Sequence, residues 1–348
     1  MLTTSAPGKT ILLGEYAVLW GGPALVAAID RRATCHFEPG GETIITAPGL
    51  GEHRPRGTST GRPLSFIAAL CDDLEIPAGR YTLDSSALYA ETSGQRQKLG
   101  LGSSAAASVA FAGAVWAAQG KPIDESAKRH VFAQVMRAHQ RVQGGGSGAD
   151  VAASTYGAVL RYRWLGGAHA SDESRRGIVQ VRGIGTAVLE TLSGNQKSIL
   201  AVWTGSPADT PSFIRSVSKL RTEAPTDWQR WMNELSAAAE AGTDAWIADD
   251  LGALAITAQS TGATLEALGD AATAQIVTDA HRAIMEVVRP HGGVVKPTGA
   301  GGGDLGWVIP SQAADEVNIL THLQRAGYAA WRLPIASNGL RIDGVVAP

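Results

Sequence analysis

Lys98-Leu-Gly-Leu-Gly-Ser-Ser-Ala-Ala-Ala107 is a small-residue loop that runs straight into an apolar segment, and residues 105–118 read as a helix. Gly100 and Gly102 let the backbone turn tightly and come close to a ligand. A helix beginning near Ser103 points several unpaired N–H groups back at the loop, and with the helix dipole they make a site for an anion such as phosphate. Ser103 and Ser104 add hydroxyls able to cap the helix, bind phosphate oxygens or sit on magnesium. Read alone, such a stretch is more often a simple turn with a serine cap. It is not a Walker A loop, because no Gly-Lys-Ser/Thr ends it. Two distant segments, quoted below, decide between these readings.

The chain's 348 residues, 44% of them hydrophobic, are enough for one large or two moderate domains. A net charge of −2 gives no basic footprint for nucleic acid or an anionic membrane, so an anionic ligand must be held by a local cluster of cations. Cys35 and Cys71, lacking metal spacing, read as two buried reduced thiols. No leader-like segment and no run of 18 apolar residues is visible, so a soluble cytoplasmic protein is expected.

Residues 11–13 read as a short strand bounded by Pro7-Gly8 and Gly14, and residues 17–19 and 24–29 as strands around the turn at 21–23. Residues 31–46 continue as strand with a turn at 38–41, and residues 47–62 read as a surface loop. Residues 64–74 have helical periodicity, and 81–88 read as strand. An amphipathic helix is predicted over 124–143, followed by the glycine loop Gly144-Gly-Gly-Ser-Gly-Ala-Asp150 and a strand over 158–162. Residues 166–177 read as a loop. Residues 198–204 read as a strand opening a second half, with helices to about 288 that place Trp228, Trp231 and Trp246 in the core. A third glycine loop, a strand at 307–309, a helix over 313–327 and a closing strand at 329–333 complete the pattern. The expected class is α+β, in two halves (1–190 and 191–348) with the ligand in the cleft between them.

Three segments carry a family resemblance. Ser5-Ala-Pro-Gly-Lys-Thr-Ile-Leu-Leu-Gly-Glu-Tyr16 resembles the first signature of the GHMP kinases, residues 98–105 the second, and Lys296-Pro-Thr-Gly-Ala-Gly-Gly-Gly-Asp304 the third, in the family's order. Two more resemble the branch of that family that phosphorylates 5-phosphomevalonate: Ala138-His-Gln-Arg-Val-Gln-Gly-Gly-Gly-Ser-Gly-Ala-Asp-Val-Ala-Ala153 and Val202-Trp-Thr-Gly-Ser-Pro-Ala-Asp-Thr210. Asp209 departs from the pattern, standing where the branch more often has Ser. An acid there would repel a phosphate.

The resemblance implies a two-lobed fold, with residues 1–190 binding nucleotide and 191–348 forming the substrate side. It implies ATP and Mg2+ as cofactors, and transfer of the γ-phosphoryl group to 5-phosphomevalonate. Lys98, Gly100, Leu101, Gly102, Ser103, Ser104 and Ala105 would cradle the triphosphate, with Ser103 or Ser104 on the metal. Lys9 would neutralise the transferring group. Asp150 would orient Lys9 and the acceptor, with proton removal secondary, since a phosphate acceptor is already largely ionised near neutral pH. His139 and Arg141 would serve the substrate phosphate, Arg141 ranked first because guanidinium binds phosphate bidentately. Gln143 and Ser147 would contact substrate. Residues 300–303 would support the phosphate loop and shape the substrate side, with Ala300 and Gly301 at the substrate, and Asp304 would close the third loop. A mevalonate kinase leaning harder on Asp150 as base, another small-molecule kinase of the family, and a non-catalytic metabolite binder remain as alternatives. Neither nucleic acid nor membrane is an expected partner, and the chain is expected as monomer or homodimer.

Overall fold

A computed structural model describes residues 1–49, 51–55, 60–61, 64–92, 95–166, 177–181, 183–194 and 198–345. Its first strand, Leu2–Leu13, does not stop at Pro7-Gly8 as the sequence pattern predicts. It runs through them, and the register against its antiparallel neighbour Pro23–Pro39 shifts between Pro7 and Gly8. Pro7 has no N–H to give the ladder. A Cβ on Gly8 would stand 2.8 Å from the Leu101 carbonyl oxygen, so this strand lies directly against the 98–104 loop. Residues 17–19, expected as strand, form part of a short 3-10 helix, Ala17–Trp20.

Pro23–Pro39 is the spine of the larger sheet. One edge pairs with the first strand; the other pairs with Val159–Trp164 along residues 23–27 and with Gly79–Asp84 along residues 34–39. Ile44–Ala47, Gly51–His53 and Thr60–Gly61 extend it within the segment expected as a loop; residues 50, 56–59 and 62 lie outside the described residues. Ile178–Val181 and Gly185–Leu192 extend the other end, while most of the 166–177 loop is outside the described residues. Helix Ser103–Ala118 is buried nearly all round, with alanines against the sheet, and Thr4 Oγ1 donates to the Ala110 carbonyl at 2.8 Å. Helices Glu125–Gln143 and Ala149–Tyr156 complete that layer.

The second sheet orders Gly293–Pro297, Leu305–Pro310, Ser198–Trp203 and Ala330–Pro334, all antiparallel. Helices Thr210–Glu223, Pro225–Ile247, Leu251–Ala271, Asp279–Val288 and Glu316–Arg325 belong to this half, and Trp228, Trp231 and Trp246 are buried as expected. Asp209, the departure from the family pattern, caps Thr210–Glu223 by accepting the Ser212 N–H at 3.2 Å. A division at residue 190 does not separate the two sheets' strands, because Arg341–Val345 returns to pair with Leu2–Leu13. One hydrophobic cluster joins both parts, with Leu12, Leu25, Leu101 and Ala106 packed with Trp203, Trp246, Leu254 and Trp307. Cys35 is buried and Cys71 half-buried, both free. No helix among the described residues is long and apolar enough to cross a membrane.

One buried group makes stability pH-dependent. His281 and Thr278 form a reciprocal capping box at the start of Asp279–Val288, and the His281 Nε2 has no partner. Burial, helped by the nearby Lys296 and Arg282 charges, pulls the imidazole down to about 4. An unfolded histidine titrates near 6.5, so the folded state's advantage is complete above that value and is lost as pH falls toward 4. Lowering pH from 7 to 4.5 is expected to remove about 2.5 kcal/mol through this residue alone. The check is urea unfolding of wild type and His281→Gln at both pH values. Equal losses in the two proteins would rule the residue out.

Candidate active site

Gly100 and Gly102 both adopt left-handed backbone, with φ of +72° and +71°. Gly102 is the N-cap of Ser103–Ala118, and no side chain caps this helix. The first helical bond runs from the Ala106 N–H to the Gly102 carbonyl at 3.1 Å, which leaves the preceding amides of the turn without helical partners. A Cβ on Gly102 would lie 3.1 Å from Lys9 Cγ, 3.2 Å from Lys9 Cε and 3.6 Å from Asp150 Cβ. The loop's glycine is therefore the surface on which the lysine and the aspartate meet.

Each of the two is held from its backbone. Lys9 lies on the first strand, and its N–H donates to the Leu101 carbonyl at 2.8 Å. Asp150 is in the first turn of Ala149–Tyr156, and its Oδ1 accepts the Val151 N–H at 2.9 Å. One turn further along that helix, Ser154 Oγ donates to the Pro7 carbonyl at 2.8 Å, which fixes the helix against the strand that carries Lys9. The two side chains share a glycine and no ion pair joins them among the described residues.

The third glycine loop is fastened to the first strand's exit at two points and to the phosphate loop at a third. Lys296 and Glu15, both with 0% exposed side chains, form a buried ion pair. Lys296 Nζ also donates to the Leu12 carbonyl at 2.8 Å and the Pro297 carbonyl at 2.7 Å. Burial pushes the Glu15 carboxyl up and the Lys296 ammonium down, and their mutual attraction opposes both shifts. Tyr16, at a φ of +61° that is strained for an aromatic residue, donates its hydroxyl to the Ala300 carbonyl at 2.6 Å. Asp304 packs its carboxyl against Gly100, where a Cβ would come 2.5 Å from Oδ2. Asp304 Oδ1 accepts the Ala208 N–H at 3.3 Å; burial raises this carboxyl, and the Lys9 and Lys98 charges draw it back.

Between these parts lies a cavity of about 220 Å³. Of the residues expected at the site, Lys9, Gly100, His139, Gln143, Ser147, Asp150 and Ala300 line it. Leu101, Gly102, Ser103, Ser104 and Ala105 form the turn and helix start behind Gly100, and the exposed Lys98 ends the adjoining strand Gln95–Lys98. Gly301 packs against Ile276, away from the cavity wall.

Arg141 stands apart from the cavity. It is exposed, paired with Asp73 at 2.9 and 3.1 Å and donating to the Ala69 carbonyl, outside the cavity wall. Two residues along a helix turn a side chain by about 200°, so Arg141 and His139 face opposite ways while Gln143 follows His139 around. His139 is 5% exposed, its ring 4.3 Å from that of Phe66, and its Nε2 has no partner. Burial lowers its pKa against the nearby Asp150 charge, which favours the neutral imidazole. Of the two, His139 lines the cavity and Arg141 does not. Glu15, Tyr16, Lys296 and Gln140 enter the site's structure without having been singled out, and Asp304, expected only to close the third loop, lines the cavity. A lysine inside the apolar run Gly-Val-Val-Lys296 was the one visible signal among them.

The metal-ligand chemistry fits magnesium held mostly by phosphate. No group of three or more His, Cys, Asp or Glu side chains is placed to hold an ion among the described residues. The Ser103 and Ser104 hydroxyls at the loop and the Asp304 carboxylate on Gly100 are the oxygen donors at hand, and magnesium bound to nucleotide characteristically takes only one or two protein ligands.

A glycine turn feeding a buried helix N-terminus, with a lysine and an aspartate meeting over it, defines a phosphate-handling enzyme of the small-molecule kinase type. Residues 68–158 match the family described as GHMP kinases N terminal domain, and the chain carries that domain there. Phosphomevalonate kinase of Streptomyces sp. (strain CL190) is 26% identical over 95% of both chains. Mevalonate kinase of Methanothermobacter thermautotrophicus is 36% identical over 173 residues, 45% of this chain and 49% of that protein. The solved structure of Streptococcus pneumoniae phosphomevalonate kinase in complex with phosphomevalonate and AMPPNP aligns at a TM-score of 0.74 and 18% identity, covering 96% of this chain and 100% of that one; the likeness is one of fold.

Proposed function

We propose that the chain transfers the γ-phosphoryl group of ATP to 5-phosphomevalonate, giving the diphosphate. The observation that carries this reading is the meeting of Lys9 and Asp150 on Gly102, beside a cavity that His139 helps to line. Similarity to a phosphomevalonate kinase along nearly the whole chain supports the acceptor. The nucleotide cradle then comes from loops within residues 1–190, and Ala300 and its loop, within 191–348, contribute the substrate side, in a cytoplasmic enzyme.

In this reading the Gly100–Ser104 turn holds the β- and γ-phosphates with backbone N–H groups, and Lys98 adds charge at its entrance. Lys9 stands where charge builds on the transferring group. His139, neutral, forms part of the acceptor wall, and Gln143 and Ser147 fix the acceptor's orientation. Magnesium, when bound through Ser103 or Ser104, supplies charge neutralisation between phosphates. Asp150 holds the acceptor in line. Its proton-accepting role is minor because a phosphate monoester's second pKa is about 6.

Coupled ADP release with ATP and magnesium, offering 5-phosphomevalonate and mevalonate side by side, tests the acceptor. Turnover with mevalonate alone would transfer the assignment to an alcohol kinase, the reading favoured by the 36% identity over the 173 matched residues. Asp150→Asn discriminates further. General-base catalysis contributes about 10²- to 10⁴-fold, so a loss below about 100-fold is expected with the phosphate acceptor. A larger loss makes Asp150 the base and argues for an alcohol.

A further inference from the structure

We propose that Asp304 makes the site select metal-complexed nucleotide over free nucleotide. The proposal rests on the ATP-kinase reading and adds to it a specificity residue. Asp304 ends the third glycine loop, far in sequence from the phosphate loop, yet its carboxyl sits on Gly100, where a Cβ would meet Oδ2 at 2.5 Å and Cγ at 2.7 Å. The side chain lines the same cavity as Lys9 and Asp150.

Its backbone leaves it little freedom. The Asp304 N–H donates to the Ser206 carbonyl at 2.8 Å, and its own carbonyl accepts from the Thr204 N–H at 3.1 Å and the Thr204 hydroxyl at 2.9 Å. Oδ1 is engaged by the Ala208 N–H, and no hydrogen-bond partner of Oδ2 is found among the described residues. The residue is therefore a fixed anion facing the turn that is to receive another anion.

Neither nearby lysine cancels it. Lys9 and Lys98 act on the carboxyl through space, but neither forms an ion pair with it among the described residues. Two anions brought together across a partly desolvated gap repel, whereas a divalent cation between them turns the same geometry into attraction. Free ATP, with its full charge uncompensated, would meet the repulsion; in magnesium-bound ATP the metal's charge would offset it, with Asp304 as the carboxylate facing the complex.

Asp304→Asn is the direct test. Asparagine tolerates the positive φ of +55° found here and keeps an oxygen for the Ala208 N–H. Binding of ATP is measured by titration calorimetry, once with excess EDTA and once with excess magnesium, on wild type and variant. The expected result is about 30-fold tighter binding of free ATP and a weakening of a few-fold for magnesium-ATP, so the preference for the complex falls by about 100-fold. Asp304→Glu, which keeps the charge, is expected to retain a preference for the complex.

A purely structural Asp304 would weaken both forms together and leave their ratio unchanged, and that outcome overturns the proposal. Loss of preference in the glutamate variant equal to that in asparagine overturns the charge argument as well. A wild-type chain that binds ATP in neither condition overturns the kinase reading, and the proposal with it.

Discussion

Lys9→Met is expected to lower kcat about 10³-fold while leaving thermal stability almost untouched. The lysine's backbone is a ladder residue of the first strand, and methionine makes the same N–H bond to Leu101. Its side chain forms no ion pair or hydrogen bond among the described residues, so removing the ammonium leaves no partner stranded. Substitutions of that kind change stability by no more than ~0.5 kcal/mol. The catalytic loss has a different origin. A preorganised charge aimed at developing charge on a transferring group is worth about 10²- to 10³-fold in rate, and here the ammonium is the cation nearest the glycine on which Asp150 also rests. Single-turnover measurement with ATP and 5-phosphomevalonate, beside a melting curve, separates the two. Activity within a few-fold of wild type would remove Lys9 from the chemistry. A large fall in melting temperature would mean that the side chain supports the strand instead.

Legibility in the sequence followed range. The turn at Gly100 and Gly102 was readable because only glycine takes its left-handed conformation freely, and the following alanines have no other use than a tightly buried helix. The first strand was misjudged because Pro-Gly usually ends a strand, whereas here a bulge absorbs the missing N–H and the small residue admits Leu101. Arg141 outranked His139 on chemistry alone. The 100° advance per helical residue would have separated them, given knowledge of which face of Glu125–Gln143 meets the cavity, and that depends on packing. Contacts separated by hundreds of residues left no local trace. Glu15 with Lys296, Tyr16 with Ala300 and Gly100 with Asp304 exist only once both sheets are assembled. They explain why the first and third signatures stand at opposite ends of the chain and yet build one wall.

Lys296→Met is expected to cost about 3–5 kcal/mol of stability, the largest effect of any single substitution proposed. The ammonium reaches three oxygens, those of Leu12, Glu15 and Pro297, from a side chain with no exposure. Methionine fills much of the same volume, so lost packing contributes little; the cost lies in what is left behind. Glu15 Oε2 already lacks a hydrogen-bond partner, and without Lys296 the whole carboxyl is buried with no opposite charge in contact. Breaking one side of such a pair is far worse than replacing both, because the desolvated charge remains. The double variant Glu15→Gln with Lys296→Met should therefore recover more than half of the loss, as measured by the urea midpoint at pH 7. If single and double variants are equally destabilised, the hydrogen bonds to Leu12 and Pro297 carry the effect and the charge does not. Activity adds a second discrimination. Lys296 starts the loop that carries Ala300 and Asp304, so a double variant that folds well but turns over slowly would show that the pair also sets the position of that loop against the phosphate turn. A double variant with both stability and turnover restored would confine the pair to folding, leaving Tyr16 and Asp304 as the contacts that place the loop.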